Sequence, residues 1–364
     1  MMRFVVAKRQ GRRGGGLGNE ILPWAKGWIA SQVLDAHLIG PSWGLNQRRY
    51  DRNFGTSRLD FCLEDALLRL PHHTFSHADY QATGEIDFGM ALEKWASARG
   101  LKREKAYIVS VEGMWGGYPS IRNARPFLRA KLLNSRDALH NMHQIATALD
   151  PGRLFVAVHM RLARDGFSTP QPGEDVRGKF NVFVPGDWYL WVCESLKAAF
   201  GDQIQFHFFT DRRGPEFAEA VRRFNPGQIV QQGLTECSDL LLMSNADLRV
   251  CSVSSYSLAA CFLSEGPYLW YEPQLTLNED HYSLWGPNGK HQTPTVHAVA
   301  DIHNANHSNG RHDSPQESAA AYMGTAIKVG APLPDGLLQT LRQRLNIRDP
   351  RTNLLDYGCV PVAK

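Results

Sequence analysis

Three short stretches of this sequence hold more polar chemistry than a turn or a strand end requires. In Gly14-Gly15-Gly16-Leu17-Gly18-Asn19-Glu20, positions without side chains let backbone amides approach a ligand just where a helix begins. A plain turn would use the same residues. In His159-Met160-Arg161-Leu162-Ala163-Arg164-Asp165, an apolar strand ends in a histidine, two arginines and an aspartate. Arg161 is a fixed cation whose fork can grip a phosphate through two bonds, and Asp165 or His159 can orient it or meet a base edge. A surface ion pair after a strand is the alternative. The third stretch, Cys251-Ser252-Val253-Ser254-Ser255-Tyr256-Ser257, sets hydroxyls at the start of an apolar helix, where they and the free amides suit a diphosphate. Simple N-capping needs only Ser254 or Ser255.

These stretches fall where an α/β chain would position them. A strand over 4–7, a basic glycine-rich loop over 8–18 and a helix with Ile21, Ala25, Ile29, Val33 and Ala36 at helical spacing open the chain. Helices are expected over 63–70, 88–98 and 125–149, before the boundary signal Asp150-Pro151-Gly152. Alternation then becomes regular. Strands over 154–160, 205–210, near Ile229, over 248–253 and 268–271 are separated by helices over 188–200, 215–224, 239–246 and 256–263, with Asp187 and Gly201 at the ends of the first. That order predicts a parallel, doubly wound sheet, in which ligands bind beyond the carboxyl ends of the strands. The expected division is an N-terminal α/β domain over 1–150, a Rossmann-like domain over 151–275 and a C-terminal extension over 276–364 with a terminal helix over 337–345.

Composition narrows the class of partner. The 364 residues are 43% hydrophobic and 21% charged with a net charge of +4, too small a surplus for a nucleic-acid or membrane surface and better matched to a local anion. No run approaches the roughly 18 apolar residues of a membrane span, and the apolar run near the N-terminus is too short for a signal peptide, so a cytoplasmic location is expected. The six cysteines lack zinc, redox or disulfide-framework spacing. His303, His307 and His312 lie in an Asn/Ser/Gly-rich stretch without helical register, so no metal site is expected there. Trp24, Trp28, Trp43, Trp95 and Trp115 suit core packing, with stacking on a sugar as the alternative.

In combination, the three stretches resemble the superfamily of GDP-fucose-dependent fucosyltransferases that includes the α1,2-, α1,6- and protein O-fucosyltransferases. Gly15-Gly16-Leu17-Gly18-Asn19-Glu20 is similar to the Gly-Gly-Leu-Gly-Asn-Gln of the α1,2 enzymes, and His159-x-Arg161 to the His-x-Arg of the superfamily's donor site. Met243-Ser244-Asn245-Ala246-Asp247 with Val250-Cys251-Ser252-Val253-Ser254-Ser255 resembles the third motif of the α1,6 enzymes, including an earlier Asp, here Asp239; Phe209-Thr210-Asp211 fits the second. Leu162 replaces the second arginine of the α1,2 and α1,6 enzymes, and Asp165 has the later spacing of the protein O-fucosyltransferases.

The resemblance implies a GT-B-like α/β fold, two facing Rossmann-like domains with the donor site in the C-terminal one. It implies an inverting transfer of fucose from GDP-fucose to a hydroxyl of a glycan or glycoconjugate, as in polysaccharide biosynthesis, without a metal. The absence of any Asp-x-Asp in the sequence agrees with that. Arg161 would hold the β-phosphate, His159 and Asp239 the guanine, and Ser254 and Ser255 the diphosphate. Gly15, Gly16, Gly18, Asn19, Asp165, Asp211, Tyr256 and Ser257 complete the expected donor set. The base that takes the acceptor proton is expected at Glu174 or Asp175, with Glu20 as the other location. Use of another nucleotide sugar, or nucleotide-sugar binding without turnover, are the alternatives. A methyltransferase would want an acidic residue ending the second strand, where the sequence has His37-Leu38-Ile39-Gly40.

Overall fold

The structure, a computed structural model, describes residues 2–8, 15–41, 43, 48, 50–55, 58–136, 138–163, 183–230, 235–252, 254–264, 266–271, 276–278, 281–283, 324–327 and 329–347. They fall into two compact units, one reaching to Ala138 and including His281–Ser283, the other taking the rest.

The first unit is built on β1 (Met2–Lys8), β2 (His37–Ile39), β3 (His73–Phe75) and β4 (Ala106–Glu112), all parallel in the order β2-β1-β4-β3. Val5, Val6 and Ala7 of the inner β1 are sealed from solvent, as are Val109 and Val111 of β4, because both faces of a parallel sheet are covered. The helix Leu17–Leu34 lies on this sheet so closely that a Cβ at Gly27 would stand 2.8 Å from Ala7 Cβ. Trp24, Trp43 and Trp95 are buried, and Trp24 and Trp43 meet edge-on at 5.6 Å, which is core packing. The helix expected over 125–149 is two, Arg125–Leu133 and Ala138–Thr147. They part at Ser135, whose hydroxyl turns back onto Leu132 O, while the Arg136 amide donates to Asn53 O at 2.8 Å.

The second unit holds β5 (Leu154–Met160), β6 (Ile204–Thr210), β7 (Leu248–Val250) and β8 (Tyr268–Tyr271). After β9 (Thr276–Asn278) and β10 (His281–Ser283) in the chain, β11 (Gly324–Ile327) completes a parallel sheet in the order β11-β8-β7-β5-β6. All seven residues of β5 are buried, which explains its unbroken apolar run. From β5 the chain first builds outward to β6, then returns across β5 to add β7, β8 and β11 on the other side. The carboxyl ends of β5 and β7 therefore flank a topological switch point, the place where open α/β sheets open a crevice.

Local details differ from expectation for physical reasons. No strand forms at Ile229; instead the Gln228 carboxamide accepts from Phe208 N at 2.7 Å and donates to Phe208 O at 2.8 Å, pairing the open edge of β6 as a neighbouring strand would. Asp187 does not cap its helix, which runs Gly186–Phe200 from an N-cap at Pro185. Gly201 does end it, with a left-handed φ of 56° that favours glycine. The helix expected from 239 starts a turn earlier as Glu236–Ser244, and β7 stops at Val250. The last helix, Asp335–Asn346, turns Leu337 and Leu341 inward. Among the described residues, no helix is long and apolar enough to cross a membrane.

Candidate functional site

Residues distant in sequence meet where β5 and β7 end. His159, the sixth residue of β5, is buried, and its Nδ1 lies 2.7 Å from Ser257 Oγ and 3.1 Å from Ser252 Oγ. Ser257 Oγ also accepts the Ser252 amide at 3.2 Å, so the two serines and the ring form one connected cluster. Burial lowers the imidazole to about 4, with Arg161 adding to the effect and Asp211 opposing it, so the ring is neutral at pH 7. Ser254 caps the helix Ser255–Leu263 by accepting from Tyr256 N at 3.2 Å, the bland role open to this stretch. Ser252 and Ser257 do something else: they tie the serine turn to His159.

Tyr256 carries the connection further. Its ring stands 5.3 Å from that of His159, and its hydroxyl donates to Glu236 O at 2.5 Å, at the start of the helix that bears Asp239. The Asp239 carboxyl is raised to about 7 by desolvation and the neighbouring Glu236, opposed by a hydrogen bond from Thr235. Asp239 lines a cleft of about 180 Å³ together with Thr210, Asp211, Arg212 and Thr235.

On the other side of β5, Asp211 follows β6 and gathers the loop that leaves β5. Its Oδ2 lies 2.9 Å from Arg161 Nε, and its Oδ1 accepts the amides of Leu162 at 2.8 Å and Ala163 at 3.2 Å. Arg161 keeps about a quarter of its side chain exposed, so a guanidinium paired with Asp211 still reaches solvent at the end of β5. Glu174, Asp175, Asp165 and the histidines 303, 307 and 312 lie outside the described residues. Among the described residues, no cluster of three or more His, Cys, Asp or Glu side chains could hold a metal ion.

In the first unit the glycine stretch opens the helix Leu17–Leu34, with Gly16 at its N-cap. Glu20, itself buried, turns back so that Oε1 accepts the Gly15 amide. A Cβ at Gly15 would stand 2.9 Å from Asn19 Cβ, so this fold-back needs glycine there. The Gly18 carbonyl accepts from the Tyr118 hydroxyl at 2.7 Å.

Two buried groups escaped the sequence reading. Lys26 Nζ donates to Gly113 O at 3.1 Å and sits 3.3 Å from the centre of the Trp115 ring, and desolvation holds its amine well below the ordinary lysine value. Its place on a helix that is buried almost all round was the available signal. Tyr189 is fully buried on the helix Gly186–Phe200, and no spacing in the sequence distinguishes it from a core tyrosine.

No protein-family model matches the chain, and no curated protein matches it. Among solved structures it is similar to POFUT1 in complex with GDP-fucose, with 14% identity over 74% of this chain and 98% of that one and a TM-score of 0.41. The fucosyltransferase NodZ from Bradyrhizobium gives 13% identity over 72% and 94% of the two chains with a TM-score of 0.41. A mutant of Arabidopsis thaliana FUT1 in complex with GDP gives 13% over 75% and 71%, with a TM-score of 0.40.

Proposed function

We propose that this chain is an inverting glycosyltransferase that moves fucose from GDP-fucose to a hydroxyl of a glycan or glycoconjugate. One observation carries the reading: His159 with Arg161, Asp211, and Ser252 with Ser257, far apart in the chain, are joined by hydrogen bonds and an ion pair at a switch point. A cation, a neutral imidazole and a helix start suit a nucleoside diphosphate, and the resemblance of the same motifs to the fucosyltransferases supplies guanine and fucose.

In this mechanism the acceptor oxygen attacks the anomeric carbon as the bond to the β-phosphate oxygen breaks. Negative charge grows on the departing GDP. Arg161 and the amides at the start of Ser255–Leu263 are preorganised to receive it, a task that fixed donors perform without a metal. Asp211 is the group that fixes Arg161. His159 and Asp239 hold the guanine, and Asp239 near neutrality can pair with a base edge. The acceptor proton passes to Glu174 or Asp175. Glu20, engaged with the Gly15 amide, positions the glycine loop instead.

The test is slow hydrolysis of a panel of GDP-, UDP- and TDP-sugars, followed by nucleotide release. GDP-fucose should be turned over fastest and equally well in EDTA. Preference for a UDP- or TDP-sugar, or loss in EDTA restored by Mg²⁺, would contradict the proposal.

A further inference from the structure

The helix Arg58–Arg69 of the first unit turns apolar side chains both inward and outward. On its inner side Leu67 is buried with Val6 of β1 and Ile108 of β4, and Leu68 packs against them, which seats the helix on the sheet. On its outer side Leu59 is 79% exposed and Leu63 46%, and Cys62 and Ala66 also face solvent. Leu70, whose amide bonds Leu67 O just past the last turn, is 52% exposed. Residues 59, 62, 63, 66 and 70 follow the i, i+3, i+4, i+7 and i+11 spacing of a single helix face. Scattered surface leucines are ordinary, whereas a continuous apolar row marks a contact face.

One charged pair borders the row. Asp65 and Arg69 form an i,i+4 ion pair at 2.8 Å along one flank, with 47% and 78% of their side chains exposed. An anion and a cation one turn apart are self-complementary under a two-fold axis. When two such helices run antiparallel about Ala66, Asp65 of each faces Arg69 of the other, Leu70 of each meets Cys62 of the other, and the small Ala66 lies at the crossing. A parallel pair would instead set Asp65 on Asp65 and Arg69 on Arg69. We propose that this row is a homodimer face, on which a second copy of the chain docks by antiparallel pairing of the helix Arg58–Arg69. The leucines supply affinity and the charged pair sets the register. The row is about 18 Å long, too short to cover the roughly 800 Å² per partner of a standard interface, so the dimer is weak and depends on concentration.

Sedimentation velocity of the full chain, from micromolar to sub-millimolar concentration, should show the mass rising from one chain toward two. Leu63→Glu should stay monomeric throughout. Asp65→Arg should weaken association about fivefold to tenfold, because each dimer contains the reversed contact twice. Asp65→Arg combined with Arg69→Asp should restore it, since the double reversal again sets each charge opposite its complement. Leu63, Asp65 and Arg69 all reach solvent, so the variants should melt with wild type, and the charge variants keep the test decisive should Leu63→Glu melt lower. A wild type that is monomeric at every concentration would overturn the proposal, as would a dimer that Leu63→Glu leaves intact or a double reversal that fails to restore association. A monomeric wild type that floats with phosphatidylcholine vesicles, where Leu63→Glu does not, would make the row a lipid-docking face and overturn it too.

Discussion

On the proposed reading, Arg161 supplies charge at the switch point and His159 supplies shape. If Arg161 meets the departing phosphate, Arg161→Ala should lower turnover on the order of 10²–10³, the scale of one preorganised transition-state donor. Arg161→Lys should restore little, since an ammonium cannot reproduce the fork that pairs with Asp211 and a phosphate together. Steady-state turnover on correctly folded variants checks both, and near-normal turnover in the alanine variant would reduce Arg161 to an ion-pair partner. The histidines make a different prediction. His159 and His207 are lowered from 6.5 to about 4 and about 3, chiefly by burial. The unfolded chain therefore takes up these protons first as pH falls, and each site withdraws about 1.4 kcal/mol of stability per pH unit below 6.5, down to its folded value. Melting at pH 7 and pH 5 should show this loss, and His207→Leu should retain more of its pH 7 stability at pH 5 than wild type does.

Within each unit, small side chains and strand order set the spacing of the elements. At Gly27 a Cβ would meet Ala7 Cβ at 2.8 Å and Leu38 Cδ1 at 3.0 Å, so Gly27→Ala should push the helix Leu17–Leu34 off β1 and cost about 1–3 kcal/mol, measured by urea unfolding. An unchanged or raised midpoint would show that the helix shifts freely. β1, β5, β6 and the helices Phe88–Ala98 and Pro215–Phe224 were legible because each is a long apolar run or a helical repeat ended by glycine, proline or polar residues. The break at Ser135 was not, because its cause is a hydrogen bond to Asn53, far away in sequence. The missing strand at Ile229 has a similar origin, since a single carboxamide at Gln228 can satisfy a strand edge. Of the candidate site, Arg161, His159 and the serines could be read because strand ends seldom need such residues, and Asp211 only through the motif Phe209-Thr210-Asp211. Ser252 and Ser257 as partners of His159 depend on strand order, which alternation alone leaves open.

Across the whole molecule, each of the two α/β units is built on its own parallel sheet. The second unit brings a fixed cation, a neutral imidazole and a serine turn to the ends of β5 and β7, and an acid near neutrality into the cleft that Asp211, the cation's partner, also lines. The central claim is that these groups form a guanine nucleotide site, and selective binding tests it most directly. A ligand at about 100 times its dissociation constant adds about 2.7 kcal/mol to the state it binds, worth several degrees of melting temperature. Melting curves of wild type and Arg161→Ala with GDP and with UDP should show a rise for wild type with GDP, little change with UDP, and a much reduced GDP shift in the variant. Equal shifts with GDP and UDP, or a GDP shift that survives loss of Arg161 unchanged, would contradict it.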